Sequence, residues 1–128
     1  MNDTINAISV MERARRVRVA AFDVDGILTD GRLYYTDSGE EIKAFNAQDG
    51  HGIKMLRDSG VIVAIITSRT SRVVERRAHD LGIEHLDFTD NRAVEQRFPQ
   101  YREFDRGGSE QWYGTSPSVL TISTSSML

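Results

Sequence analysis

The feature that most restricts the fold is an unbroken apolar run rich in β-branched residues, Val61-Ile-Val-Ala-Ile-Ile66. A run of this length is typical of a central strand in a parallel sheet, covered on both faces. Helical patterns flank it at residues 50–59 and 71–81, and a glycine follows each of them. With further strand patterns at 17–22 and 83–88, this alternation predicts an α/β fold with right-handed crossovers.

A different pattern lies between the first strand and the first helix. Residues 32–35 and 41–45 are short and alternating, and Thr36-Asp-Ser-Gly39 separates them. Such a turn signal between two alternating segments predicts a β-hairpin.

Composition narrows the class of protein. The 128 residues fit one domain, and 39% hydrophobic with 27% charged residues is an ordinary globular composition. The absence of cysteine excludes disulfides, thiolate nucleophiles and Cys-based zinc sites. A net charge of −3 argues against nucleic acid as a partner. No apolar run is long enough to span a membrane and no leader is visible, so we expect a cytoplasmic protein.

The chain divides into three parts. We interpret residues 1–12 as an N-terminal extension that is frayed or forms a short helix, and residues 13–90 as the α/β core. Residues 91–128 lack a sustained period, apart from one predicted helix at 91–97, and carry no charge after residue 110. We therefore expect a divergent and poorly ordered tail.

The strongest chemical signal is Phe22-Asp-Val-Asp-Gly-Ile-Leu-Thr-Asp30, at the end of the first predicted strand. If the chain curls into a loop after Asp23, both acids can converge on one ligand. Asp23 could then attack phosphorus, and Asp25 could transfer the proton. A hard cation such as Mg²⁺ would offset the repulsion between carboxylates and phosphate. The alternative is a plain turn or a calcium-like loop.

A second signal is Ile65-Ile-Thr-Ser-Arg69, at the tip of the buried strand. A hydroxyl such as that of Thr67, together with free N–H groups of the next helix, can form a phosphate cradle. The simpler interpretation is a helix cap, for which Ser68, Thr70 or Ser71 would serve equally well. The two interpretations are compatible.

These residues resemble the haloacid-dehalogenase-like (HAD) phosphatases, and more narrowly the capless group that hydrolyses 3-deoxy-D-manno-octulosonate 8-phosphate. The resemblance runs from about residue 13 to residue 86. Four motifs carry it: Phe22–Gly31, Phe45-Asn-Ala-Gln-Asp-Gly-His-Gly-Ile-Lys54, Ala64–Arg69 and Arg77-Ala-His-Asp-Leu-Gly-Ile-Glu-His85. It implies a Rossmann-like three-layer sandwich with a small β-hairpin in place of a cap.

The resemblance also implies roles for single residues. Asp23 would be the nucleophile and a magnesium ligand. Asp25 would be the general acid/base and would contact the substrate, with its backbone carbonyl on the metal. Thr67 would hold the transferred phosphoryl group, although Ser68 stands where the family usually has glycine.

Further residues would face the sugar acid, namely Asn46, Ala47, Gln48, Asp49, Gly50, Lys54, Arg69 and Arg77. Positive side chains suit a substrate that carries both a phosphate and a carboxylate. The family assembles as a homotetramer, in which the hairpin shapes the active-site entrance of a neighbour.

Two family elements have no counterpart here: a lysine after the third strand, and a Gly-Asp-Asp motif on the next strand tip. The chain has only two lysines, Lys43 and Lys54. We expect the later strands to be missing, one edge of the sheet to be unpaired and turnover to be strongly reduced. A frameshift would explain the difference, since codons for residues 120–124, read two bases on, can spell Asp-Asp-Leu-Asp.

The leading hypothesis is therefore a magnesium-dependent phosphatase of 3-deoxy-D-manno-octulosonate 8-phosphate, impaired in this form. One alternative is a phosphatase of a related acidic sugar, such as an acylneuraminate 9-phosphate. Another is a non-catalytic remnant that folds only with intact subunits, and a third is a module that binds a metal or phosphate without turnover.

Overall fold

The computed structural model describes residues 2–88, 97–98 and 119–122. In chain order its elements are α1 (Asn2–Arg16), β1 (Val19–Phe22), β2 (Tyr34–Tyr35), β3 (Glu41–Ile42), α2 (Ala47–Asp58), β4 (Ile62–Ile66), α3 (Arg72–Asp80), β5 (His85–Asp87) and β6 (Val119–Ile122). Within these ranges, no helix has the length and apolar character needed to cross a membrane.

The central sheet has four strands in the order β5-β4-β1-β6, and every pair is parallel. Phe22 of β1 lies opposite Ile65 of β4 on one side and Ile122 of β6 on the other. The two strands predicted at 61–66 and 17–22 are therefore the central pair. The predicted α/β fold with a parallel sheet is confirmed.

The core lies on both faces of this sheet. Side chains alternate along β4, with Val63 and Ile65 in one buried cluster and Ala64 and Ile66 in another. The first cluster includes Ile53 of α2 together with Val74 and Ala78 of α3, and the second includes Phe98. The two-sided burial explains why the sequence of β4 is apolar at every position.

Two caps set the helices that flank the site. Asn46 caps α2, because its side chain accepts a hydrogen bond from the backbone N–H of Gln48 (2.7 Å). The helix therefore begins at Ala47, three residues before the predicted start at Gly50. Ser71 caps α3, since its hydroxyl accepts from the N–H of Val74 at 3.3 Å.

The predicted β-hairpin forms, with two residues in each strand. Tyr35 pairs with Glu41, and Tyr34 pairs with Ile42, in antiparallel register. The turn between them closes through the N–H of Thr36, which donates to the carbonyl of Glu40 (2.9 Å).

Strand β6 differs from the expectation for the tail. Residues 119–122 pair with β1 along its whole length, so this edge of β1 is not left open. The backbone groups of β1 supply a template that any short apolar segment can complete, and the local sequence does not reveal this. The predicted helix at 91–97 lies outside the described residues except for Arg97, as do the other tail residues apart from 98 and 119–122.

The N-terminal segment also differs from its expectation. A frayed end or short helix was predicted at 1–12, whereas α1 extends to Arg16. The N–H of Val17 donates to the carbonyl of Ala14 (3.2 Å), and this bond closes the helix just before β1.

Candidate active site

The parallel strands place two predicted site residues at one edge of the sheet. Asp23 directly follows β1, and Thr67 directly follows β4. The N–H of Asp23 donates to the carbonyl of Ile122 (2.9 Å), and the N–H of Thr67 donates to the carbonyl of Asp87 (3.0 Å). These bonds fix both backbones at the carboxyl edge, where open α/β sheets bind ligands.

The loop predicted after Asp23 is present and tight. The carbonyl of Val24 accepts hydrogen bonds from the N–H groups of residues 27, 28 and 29, at 3.1, 2.9 and 3.1 Å. Gly26 has φ +83°, a conformation that other residues rarely adopt. The N–H of Val24 also donates to Oδ1 of Asp23 (2.7 Å), which orients that carboxylate.

Asp25 belongs to a closed set of alternating charges, the ion-pair ring, formed by Asp25, Lys43, Glu41 and Arg69. Lys43 Nζ donates to Asp25 Oδ1 at 2.7 Å and lies 3.0 Å from Glu41 Oε1. Arg69 Nη2 donates to the same Glu41 oxygen at 3.3 Å. Arg69 Nε, 3.9 Å from Asp25 Oδ2, closes the ring. Two acids and two bases thus occupy one small region beside the loop.

The ion-pair ring attaches the hairpin to the sheet edge. Ser71 Oγ donates to Glu41 Oε2 (2.8 Å), and Arg69 Nη2 donates to the hydroxyl of Tyr35 (2.8 Å). The hairpin strands are short, and Leu33, Tyr34 and Ile42 are exposed, so apolar burial contributes little to their docking. Polar contacts between the hairpin and predicted site residues hold it instead.

Hydrogen bonds favour the ionised forms of three members of the ring, Glu41, Lys43 and Arg69. The hydrogen bond from Lys43 lowers the pKa of Glu41, although burial opposes this. Burial lowers the pKa of Lys43, but hydrogen bonds to Asp25 and Glu41 outweigh it, so that pKa is raised. The hydrogen bond to Tyr35 raises the pKa of Arg69.

Thr67 and the residues after it form the second half of the site. Thr67 is buried, and its hydroxyl accepts from the N–H of Arg69 at 3.4 Å. Of the three predicted helix caps, the structure uses Ser71, which is also buried. Thr67 is therefore not needed as a cap, and it directly follows β4 at the carboxyl edge of the sheet.

Arg77 packs against the start of α2. Its Nη2 donates to the carbonyl of Asn46 (3.2 Å), and its guanidinium carbon lies 5.4 Å from the ring centroid of Phe45. A Cβ atom at Gly50 would stand 2.6 Å from Nη2 of Arg77. The structure thus brings together three of the predicted substrate residues, Asn46, Gly50 and Arg77.

The other predicted substrate residues are more dispersed. Ala47, Gln48 and Asp49 are exposed in the first turn of α2, and Lys54 is exposed farther along that helix. A groove of about 380 Å³ lies between the loop and α2. It is lined by Ile27, Leu28, Thr29, Asp30, Ala44, Phe45, Asn46 and Asp49. Two of the predicted substrate residues, Asn46 and Asp49, therefore line the groove, whereas Asp23 and Thr67 are not among its lining residues.

Sequence reasoning missed the role of the hairpin side chains. Glu41 lies in β3 and Lys43 follows two positions later, so in extended backbone their side chains project to the same face. Tyr35 lies directly opposite Glu41 in the register, and so reaches the same neighbours. Alternation could have grouped these three residues, but it could not name Asp25 and Arg69 as their partners.

The predicted metal donors are only partly assembled. Within the residues that the structure describes, no cluster of three or more His, Cys, Asp or Glu side chains could hold a metal ion. The carboxylate of Asp23 and the carbonyl of Asp25 remain as oxygen donors of the kind that Mg²⁺ prefers. Strand β6 lies beside β1, and the sequence from 119 to 128 contains no carboxylate side chain.

The described part of the chain has the α/β fold of the HAD-type phosphatases. Among curated proteins, the chain is 49% identical over 80 residues to the 3-deoxy-D-manno-octulosonate 8-phosphate phosphatase KdsC of Yersinia pestis. That match covers 62% of this chain and 43% of the relative. No protein-family model matches the chain.

Solved structures of phosphatases with the same named substrate are also similar to this chain. The 3-deoxy-D-manno-octulosonate 8-phosphate phosphatase of Moraxella catarrhalis, in complex with magnesium, phosphate and KDO, matches with a TM-score of 0.68 and 41% identity. The match covers 72% of this chain and 55% of that one. The cobalt-bound enzyme from Haemophilus influenzae matches with a TM-score of 0.64 and 38% identity. This match covers 69% of this chain and 53% of that one. The chain thus spans about half the length of these relatives.

Proposed function

We propose that this chain is a magnesium-dependent phosphatase of 3-deoxy-D-manno-octulosonate 8-phosphate, with impaired turnover. The observation that carries the proposal is the position of Asp23 and Thr67 on neighbouring strand ends. Phe22 and Ile65 are paired across β1 and β4, so the residues that follow each strand share one edge of the sheet. The similarity to the named phosphatases supports the substrate class.

The chemistry assigns one task to each residue. The Asp23 carboxylate attacks phosphorus, and the bond from phosphorus to the sugar oxygen breaks as that oxygen takes a proton from Asp25. Water then attacks the aspartyl-phosphate, gives a proton to Asp25 and releases phosphate and free Asp23. The hydroxyl of Thr67 donates a hydrogen bond to the transferred phosphoryl group.

The substrate would lie against the cationic side of the site. The sugar acid would face two cations, Arg77 and Lys54. Arg77 lies near Asn46 and Gly50 at the start of α2. Arg69 would contribute from within the ion-pair ring, where Glu41 already neutralises part of its charge. These cationic side chains suit a ligand with two anionic groups. At Arg69 the bound anion would have to compete with Glu41.

Magnesium would be held by the Asp23 carboxylate and the Asp25 backbone carbonyl. When bound, the ion would neutralise charge on the phosphate and orient it. Mg²⁺ in proteins is often held by one or two carboxylates, with water and phosphate oxygens completing the shell. The donors therefore fit the ion, and we expect weak binding because no carboxylate follows β6.

Three alternatives differ from this proposal in substrate or in turnover. A phosphatase of an acylneuraminate 9-phosphate would use the same residues on a longer sugar acid. A non-catalytic remnant is favoured by the absence of a lysine after residue 54 and of acidic residues after 110. A module that only binds a metal or phosphate would bind these ligands without turnover.

Assembly and location complete the proposal. A cytoplasmic homotetramer agrees with the exposed apolar side chains of Leu33, Tyr34 and Ile42 on the hairpin, which a neighbouring subunit would cover. The division into 1–12, 13–90 and 91–128 remains part of this proposal, with 119–122 now joined to the core sheet.

The test is phosphate release from 3-deoxy-D-manno-octulosonate 8-phosphate in the presence of Mg²⁺, with Asp23→Asn as the control. We expect slow turnover that the substitution and chelation of the metal both abolish. Faster release from an acylneuraminate 9-phosphate would favour the first alternative. A folded sample that releases no phosphate from either ester and does not bind phosphate would identify a non-catalytic remnant. A folded sample that binds phosphate without releasing it from either ester would identify a ligand-binding module.

A further inference from the structure

Lys43 is the unexpected residue of this site. Its side chain is 2% exposed, although it lies on a hairpin whose neighbouring residues Ile42 and Ala44 are exposed. Enclosing an ammonium group is costly unless it is paired and hydrogen-bonded. Lys43 meets this requirement with two carboxylates, those of Asp25 and Glu41.

The two oxygens of Asp25 have different surroundings. Oδ1 accepts the 2.7 Å hydrogen bond from Lys43. Oδ2 lies 3.9 Å from Arg69 Nε, which is beyond hydrogen-bond distance. Lys43 thus anchors the carboxylate through Oδ1, whereas the contact that Arg69 makes with Oδ2 is a longer ion pair.

We propose that Lys43 is the positioning residue of Asp25, which it anchors at Oδ1 so that Oδ2 exchanges the proton with the substrate. This inference rests on the proposed function, because only ester hydrolysis requires that proton. Oδ2 protonates the sugar oxygen as its bond to phosphorus breaks, and it recovers a proton from the attacking water. Glu41 also holds Lys43 in place, since its Oε1 lies 3.0 Å from Nζ.

The leaving group gives a test that separates positioning from general structural damage. The sugar alkoxide needs a proton in order to leave, whereas the nitrophenolate of p-nitrophenyl phosphate does not. We expect Lys43→Met to lower kcat for the sugar phosphate by about tenfold or more, within the range for lost general acid catalysis. The kcat for p-nitrophenyl phosphate and both KM values should change by less than about twofold, because nucleophile and binding residues are intact.

Arg76→Met is the matched control, because it removes one exposed cation that pairs only locally with Asp80. It should leave both rates unchanged. Equal losses on the two esters in Lys43→Met, or no loss on either, would overturn the positioning role.

A second measurement does not depend on turnover. Because the chain has only two lysines, selective ¹⁵N labelling gives one side-chain signal for Lys43 and one for Lys54. We expect Asp25→Asn to move the Lys43 signal and to leave that of Lys54 in place. A Lys43 signal that does not respond would overturn the inference at once. If it responds but the unmodified chain hydrolyses neither ester, the proposed function fails, and the contact is structural only.

Discussion

The guanidinium of Arg77 occupies the space that a side chain at Gly50 would need. A Cβ atom there would lie 2.6 Å from Nη2 of Arg77 and 3.1 Å from Cδ2 of Leu81. The same guanidinium donates to the carbonyl of Asn46 and lies over the ring of Phe45. The glycine thus allows a cation from α3 to reach the first turn of α2.

This contact predicts different effects of alanine at two glycines of α2. At Gly52 nothing lies within 4 Å of the added Cβ, so Gly52→Ala should raise the free energy of unfolding by about 0.5–1 kcal/mol through helix propensity. Gly50→Ala should displace the Arg77 guanidinium and break its hydrogen bond to the carbonyl of Asn46. The free energy of unfolding of Gly50→Ala should therefore be lower than that of Gly52→Ala by about 0.5–1.5 kcal/mol. Urea unfolding of both variants measures the difference, and equal stabilities would contradict the contact.

The position of β6 predicts that residues 119–122 support the sheet. Ending the chain at residue 118 removes all four positions paired with β1 and the acceptor for the N–H of Asp23. We expect a loss of a few kcal/mol in the free energy of unfolding, since a net hydrogen bond contributes about 0.5–1.5 kcal/mol. A chain that ends at residue 122 keeps every paired position and is the matched control. Equal stability of the two truncated chains would show that the pairing is not formed.

Glu41 predicts a pH dependence of stability. The pKa of Glu41 is lowered from its usual 4.5 in the folded chain, so its ionised form stabilises the fold above that value. The stabilisation is lost as the pH falls through the lowered pKa, where the carboxylate takes up a proton. At pH 7, Glu41→Gln should lower the free energy of unfolding by about 1.5–3 kcal/mol, the value of a hydrogen bond to a charged group.

Chemical denaturation of both proteins between pH 3 and pH 7 measures this effect. The stability difference between the unmodified chain and Glu41→Gln should shrink as the pH falls below 4.5. Glu75→Gln, at an exposed position on α3, controls for the loss of a negative charge. A difference that stays constant over this interval would mean that Glu41 does not titrate as part of the ion-pair ring.

The hydroxyl of Thr67 predicts a rate effect if the chain is a phosphatase. Thr67→Val keeps the shape of the buried side chain and removes the donor, so turnover should fall by about 10²–10³, as for other lost transition-state donors. Thr67→Ser keeps the hydroxyl and should retain most of the activity. Steady-state phosphate release compares the two variants, and equal rates would exclude a role for this hydroxyl.

The central strands and the two helices that flank β4 could be predicted from the sequence because their signals are local. The apolar run of β4 indicated burial on both faces, and its residues do divide between two core clusters. The loop at Asp23 and the turn at Gly26 also followed from neighbouring residues. The start of α2 was misplaced because the Asn46 cap lies in a segment that alternates like a strand.

The sequence by itself determined which residues end the strands, and therefore that Asp23 and Thr67 meet at one edge of the sheet. Only the tertiary structure decided that Lys43 pairs with Asp25, 18 residues away, and that Arg69 reaches Tyr35 across 34 residues. It also decided that β6 completes the edge beside β1. Periodicity records which face of an element is buried, whereas these pairings depend on which surfaces meet when the chain packs, and local sequence does not encode that.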